Sequence, residues 1–193
     1  KRFDIVTIEP SDVPDSAFVD ELRAAGTVVL AYLSIGEAST YRDYWSGLDQ
    51  SVILAENPNW PDSYYADVNN SAWHDVILES EIPYILRRGN YDGFMLDTLD
   101  TVDVYPSLKP GMIELVRKIR AAYPNSVLVP NRGFSILPEI SSYIDAAKHE
   151  GMCATYNFDS QTYGYINDDS EIAVLTEVIG DKDMPILILD HVD

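Results

Sequence analysis

Short β-branched and apolar runs recur along this chain, and nearly every one ends in a polar cluster that is mostly carboxylate. Residues 4–8 form the first run. Residues 27–34 form the second, which runs into Tyr32, Ser34 and Glu37. Residues 64–68 give a third, with Tyr65 and Asp67 at its end. Residues 92–97 end on Asp97, and 127–130 lead into Asn131 and Arg132. Residues 144–149 lead into Glu150, and 185–189 into Asp190 and His191. Helical spacing fills the gaps at 16–25, 72–88, 111–123 and 171–179, with a kink or break expected at Pro83. Strand and helix alternating at roughly 30-residue intervals predict βα units and a parallel sheet. The candidates are a (β/α) barrel and an open doubly wound sheet. No glycine-rich turn follows the first strand, which disfavours dinucleotide binding. Carboxylates collected at strand C-termini favour the barrel, whose chemistry sits on that face.

The expected fold is therefore an α/β TIM (β/α)8 barrel, as one domain over residues 1–193. Seven strands are expected, and an eight-fold barrel usually needs about 250 residues. The expectation is a barrel lacking its last strand and helix. The start at Lys1, running straight into an apolar strand, reads as the interior of a longer product. Hydrophobic residues at 46% and 13 tyrosines are enough to build a core.

Thirty-two acids against 13 Lys and Arg give a net charge of -19, which repels a polyanion and excludes a nucleic-acid-tracking role. No apolar run reaches membrane-spanning length. The lone Cys153 cannot form an intrachain disulfide and is expected to be a small buried hydrophobe; His74 is expected on a helix surface. No cofactor and no metal is expected, and oligomeric state is left open.

Asp97 and Glu150 are the sharpest candidates. Each ends a strand, where a carboxylate needs a partner or a task. The plainer readings are a helix cap or an Arg132 pair for Asp97, and a salt bridge to Lys148 or Arg132 for Glu150. Two carboxylates facing one cleft can hydrolyse a glycosidic bond, and their separation sets the stereochemistry. Glu37 and Arg42 either meet sugar hydroxyls or pair with each other. Asp100 orients a partner or caps the next segment. Tyr32, Tyr41, Tyr65, Tyr105 and Tyr156, with Trp45 and Trp60, fall near the same ends, where aromatic faces suit the C–H faces of sugars.

GEASTYRDYW at 36–45, YYADV at 64–68, YDGFMLDTLD at 91–100, VPNRGF at 129–134 and the Glu150 strand end resemble glycoside hydrolase family 114, the endo-α-1,4-polygalactosaminidases, and the related family 166. The resemblance implies a TIM barrel that cleaves α-1,4-linked galactosamine or N-acetylgalactosamine polymers. It implies a catalytic pair at Asp97 and Glu150, and a sugar groove that includes Tyr32, Ser34, Glu37, Arg42, Asp100 and Asn131. Tyr41, Tyr65, Arg132 and Tyr156 complete the expected binding set. The implied partner is a galactosamine-rich polysaccharide, and the implied location is secreted, cell-envelope or periplasmic. Two other readings stand beside it: a barrel that binds polysaccharide without cutting it, and a Mg²⁺-dependent enolase-type barrel using Glu37, Asp97, Asp100 and Glu150.

Overall fold

The computed structural model describes residues 3–157, 160–165 and 169–190; His191 lies outside them. In chain order, β1 (Ile5–Ile8) leads through α1 (Ser16–Ala24) to β2 (Val28–Ser34). An excursion follows, made of β3 (Glu37–Ser39), β4 (Ile53–Glu56) and β5 (Ser63–Ala66). Next come α2 (Ser71–Asp75) and α3 (Ile82–Arg88), then β6 (Gly93–Asp97), α4 (Thr101–Val104), α5 (Lys109–Ala122) and β7 (Val127–Pro130). The remainder is α6 (Leu137–Ile140), β8 (Ala147–Glu150), a hairpin of β9 (Ala154–Asn157) and β10 (Thr162–Tyr165), α7 (Asp169–Lys182) and β11 (Ile186–Leu189).

Strands β1, β2, β6 and β7 pair in parallel in that order. A parallel bridge from Asn131 to Lys148 carries the order on to β8, and β8 pairs in parallel with β11. Among the described residues the barrel wall therefore has six parallel strands, not seven. The run at 64–68 is the correction. It forms β5, the antiparallel centre of the β3-β5-β4 sheet, and β2 pairs directly with β6. Its adjacent tyrosines, one on each face and both only half-buried, fit a two-sided antiparallel strand rather than one buried on both faces.

Period-two alternation sorts the wall into two cores. Leu30, Met95, Val129 and Ala146 form a small inner cluster, with Val28, Tyr32, Val127 and Leu187 packed on it. Val29, Ala31, Leu33, Phe94, Leu96 and Leu128 belong to the larger cluster shared with the helices. Each fully buried Leu or Ile in these layers contributes about 1.5–3 kcal/mol of burial. Gly93 is fixed by closeness: a Cβ there would stand 1.9 Å from the Val127 carbonyl oxygen, so only glycine lets β6 and β7 pair in register.

The helix expected at 72–88 forms without a break. Asn70 caps α2 by accepting from the Ala72 amide. The turn at 76–81 widens into π geometry just before Pro83, where a proline ring crowds the carbonyl four residues back. His74 is 3% exposed rather than on the surface; its Nε2 bonds the Val68 carbonyl at 2.7 Å and its Nδ1 meets Lys118 Nζ at 3.0 Å. Trp73 beside it is fully buried and donates to the Ile35 carbonyl at 2.7 Å. Cys153 is exposed, because it falls in the loop after β8 and not on a strand.

Candidate active site

The inward-facing positions of neighbouring strands end on one level. Ser34 pairs in register with Asp97, and Asn131 bridges to Lys148. Glu150 stands two residues beyond Lys148 and so faces the same side of β8. These side chains floor a bowl of about 1140 Å³ at the C-terminal ends of the strands.

At the centre, one nitrogen ties two acids together. Asn131 Nδ2 donates to Asp97 Oδ1 at 2.9 Å and to Glu150 Oε2 at 2.9 Å. An amide NH₂ carries two N–H bonds spread trigonally, so the two acceptor oxygens stand about 5 Å apart. Asn131 is 6% exposed, and its own carbonyl oxygen is buried with no hydrogen-bond partner. Lys148 Nζ adds a 3.0 Å contact to the same Glu150 oxygen. Tyr32 hydrogen-bonds Asp97; burial, the Asp97 charge and that bond together raise the phenol well above its ordinary pKa, so it stays protonated.

Asp100 is pushed up to about 6, chiefly by burial and then by the Asp97 charge, with Arg132 pulling the other way. Its side chain is still 45% open, so the desolvation is that of a deep-walled pit and not of a dry core. Arg132 occupies the left-handed region at φ 59. From there it reaches the Glu150 carbonyl at 2.9 Å, Glu171 at 2.8 Å and Asp100 at 3.5 Å. It holds the backbone of Glu150 and leaves the carboxylate open to the bowl. Among the described residues Asp97 has neither an Arg132 pair nor a capping role; the Lys148 bridge anticipated for Glu150 is present, inside the bowl.

Glu37 lines the bowl at 7% exposure, held by Asn57 Nδ2 at 2.8 Å and Ser63 Oγ at 2.7 Å. Ser34 also lines it, with its hydroxyl shared between the Glu37 carbonyl and Thr98. Tyr41, Tyr65 and Tyr156 stand on the walls, Tyr65 edge-on to Tyr105 and Tyr156 edge-on to Tyr163. Trp60 joins them with 60% of its surface open, whereas Trp45 packs on Tyr64 beside the core.

Arg42 is corrected. It does not line the bowl and does not pair with Glu37. Its guanidinium is 7% exposed and grips both oxygens of Glu9 at 2.8 Å, with Glu81 at 3.5 Å. Residue 42 follows the turn out of β3, which aims the side chain away from the bowl and toward the segment after β1.

Lys148, Asn57 and Thr98 belong to the bowl and were not singled out as site residues. Lys148 carried a signal, its position two residues before Glu150 on one strand. Asn57 sits in an irregular loop with no period to place it. Thr98 adopts φ 64, and its hydroxyl receives the Gly36 amide at 2.7 Å. Only the closed turn reveals that role. Gly36 is required there, since a Cβ would fall 2.0 Å from the Thr98 carbonyl oxygen.

Comparison with known proteins places this architecture. The glycoside hydrolase domain of PelA from Pseudomonas aeruginosa superposes with a TM-score of 0.83 at 22% identity, over 99% of this chain and 78% of that one. Ega3 of Aspergillus fumigatus, solved in complex with galactosamine, gives 0.79 at 16%, over 97% and 70%. At these identities the likeness establishes the fold, a (β/α)8 barrel domain. In sequence, a Deinococcus radiodurans protein is 29% identical over 164 residues, 77% of this chain and 53% of that protein. A Methanocaldococcus jannaschii protein is 24% identical over 195 residues, 91% of this chain and 55% of that protein. The chain thus spans about half the length of these curated relatives. The profile of the glycoside-hydrolase family GH114 matches residues 1–183, and the chain belongs to that family.

Proposed function

We propose that this chain is an endo-acting glycoside hydrolase of α-1,4-linked galactosamine and N-acetylgalactosamine polymers, with Asp97 and Glu150 as its working carboxylates. The observation that carries this reading is the single Asn131 nitrogen held by both acids over an open, aromatic-walled bowl. GH114 membership supports the reaction class, and the galactosamine bound by Ega3 supports the sugar.

The nearest carboxylate oxygens, about 5 Å apart across the shared Asn131 nitrogen, fit the retaining arrangement. Carboxyl groups about 5–5.5 Å apart leave no room for a water between acid and sugar, so one attacks the anomeric carbon directly. As the carboxylate–carbon bond forms, the glycosidic bond breaks, and the departing oxygen takes a proton from the other acid. Water then reverses the sequence: the second residue removes its proton, and the glycosyl ester opens with net retention. Tyr32 and Asn131 donate to these acids and fix their directions, which is how orientation lowers such a barrier. Tyr41, Tyr65 and Tyr156 offer faces for rings on either side of the cut, and Asp100 and Glu37 supply acceptors for hydroxyls or an ammonium. The domain is one barrel over residues 1–193, working on polysaccharide outside the cell or in its envelope.

The test is hydrolysis itself. New reducing ends appear in the middle of the polymer, with the α-anomer first by proton NMR. Asp97→Asn and Glu150→Gln each lose at least about a hundredfold in rate while keeping the wild-type circular dichroism. Tight polymer binding without new ends establishes the binding-only reading instead. The Mg²⁺-dependent reading has no support from geometry: among the described residues no group of three His, Cys, Asp or Glu side chains is placed to hold a metal ion.

A further inference from the structure

Glu150 shares its bowl with several charged and titratable groups, and they differ in where they point. Asp97 on β6 faces it through Asn131. Arg132 reaches its carbonyl and spends its remaining donors on Glu171 and Asp100. Just after β11, the neighbour of β8, Asp190 accepts from the Cys153 and Ala154 amides. Tyr156 rises from β9 into the same bowl. Lys148 places its ammonium 3.0 Å from the Glu150 carboxylate itself, with the lysine side chain 17% exposed and the glutamate 34%. The arrangement follows from β8: residues 148 and 150 project to one side of a strand, and the Asn131 bridge fixes the level of Lys148 in the barrel wall.

A two-carboxylate hydrolase needs its acids in different protonation states. Asp97 receives the neutral donors of Tyr32 and Asn131. Glu150 receives Asn131 and an ammonium. The chain thus breaks the symmetry of the pair with a residue that needs no contact with sugar. We propose that Lys148 is a positioning residue that favours the ionised form of Glu150 and so sets the pH range over which the pair can work. The kinetic half of this rests on the hydrolase reading above; the effect on Glu150 does not.

Lys148→Met keeps the length of the side chain and removes the charge; Lys148→Arg restores it. The Glu150 carboxyl is followed by carbon-detected NMR in the substrate-free protein, with its signal assigned by loss in Glu150→Gln. An opposite charge at this range is worth about one pH unit or more. Lys148→Met is expected to move the Glu150 midpoint up by about that much, and Lys148→Arg to hold it near wild type. In the pH profile of kcat/KM on polymer, the same variant shifts one limb upward. Movement of the acid limb makes Glu150 the nucleophile, and movement of the alkaline limb makes it the proton donor; both support the proposal. A Glu150 midpoint unchanged in Lys148→Met overturns it, even if that variant loses thermal stability. A wild type that releases no reducing ends refutes the hydrolase reading alone, because the NMR titration still decides the role of Lys148.

Discussion

Two carboxylate pairs in this molecule are held by opposite means. Glu9 and Glu81 close on Arg42, whose planar fork takes both Glu9 oxygens at 2.8 Å and stands 3.5 Å from Glu81. Asp97 and Glu150 meet over one neutral amide nitrogen, with an ammonium on one of them. The first group is walled in: Arg42 and Glu81 are each 7% exposed in the side chain. The second opens into the bowl. A guanidinium matches carboxylate geometry and neutralises it, which makes the Arg42 knot a fastening between β1, the β3 turn and the π segment. A shared amide donates to two acids without cancelling either charge. The difference teaches that a carboxylate's role here is set by what neutralises it more than by how deeply it lies.

The largest effect that sharpens this contrast is on stability. Arg42→Met strands two acids in a closed space, and an unfolding titration should show a loss of about 3 kcal/mol or more. Folded protein should keep a kcat within about twofold of wild type, since Arg42 stands outside the bowl. A large fall in kcat would place the knot in the mechanism and end the contrast. Asn131→Ala is expected to behave in reverse, with a rate loss of about tenfold or more from two acids no longer aligned and a stability loss of only about 1 kcal/mol.

The pH dependence of stability should separate the groups next. Burial pulls Glu9 up, but its bonds to Arg42 and to Ser11 outweigh this and leave its pKa below the ordinary value. A depressed acid stabilises the fold above its unfolded pKa, near 4.3. That contribution is lost as pH falls through the folded value. Wild type should therefore lose more stability than Arg42→Met on acidification below about pH 4.3. Asp100, raised to about 6 by burial and the Asp97 charge, behaves oppositely. It takes up a proton as pH falls through that value and loses its attraction for an ammonium. Affinity for a deacetylated oligomer should weaken about threefold across that step, and Asp100→Asn should flatten it in calorimetry. The smallest effect is long-range. With a chain charge of -19, added salt should slow cleavage of deacetylated polymer more than that of acetylated polymer. Equal salt slopes would remove steering and leave the local contrast intact.

Much of the barrel could be read from residue order because burial on both faces leaves a plain trace. Strands β2 and β6 are apolar throughout and stop at polar residues, and the sequence runs at 27–34 and 92–97 reproduce them within a residue or two. The Tyr64-Tyr65 run misled because its strength as a strand says nothing about its partner. Pairing of β5 with β3 and β4 depends on where the intervening loop folds back. His74 differs for a related reason: a polar side chain on a helix is read as exposed, and its partners are the Val68 carbonyl in the turn before α2 and Lys118 on α5, which only the folded chain brings there.

The order of residues alone determined the alternation of strand and helix, the acidic strand ends and the family motifs, since each depends on neighbours a few positions apart. Which acids meet was decided by the assembled strand wall. Asn131 lies 34 residues from Asp97 and 19 from Glu150, yet one nitrogen reaches both. Arg42 lies five residues from Glu37 and turns away to Glu9, 33 residues distant. Spacing along a strand fixes the face a side chain takes, but the partner across that face comes from another strand, whose register only the assembled barrel sets.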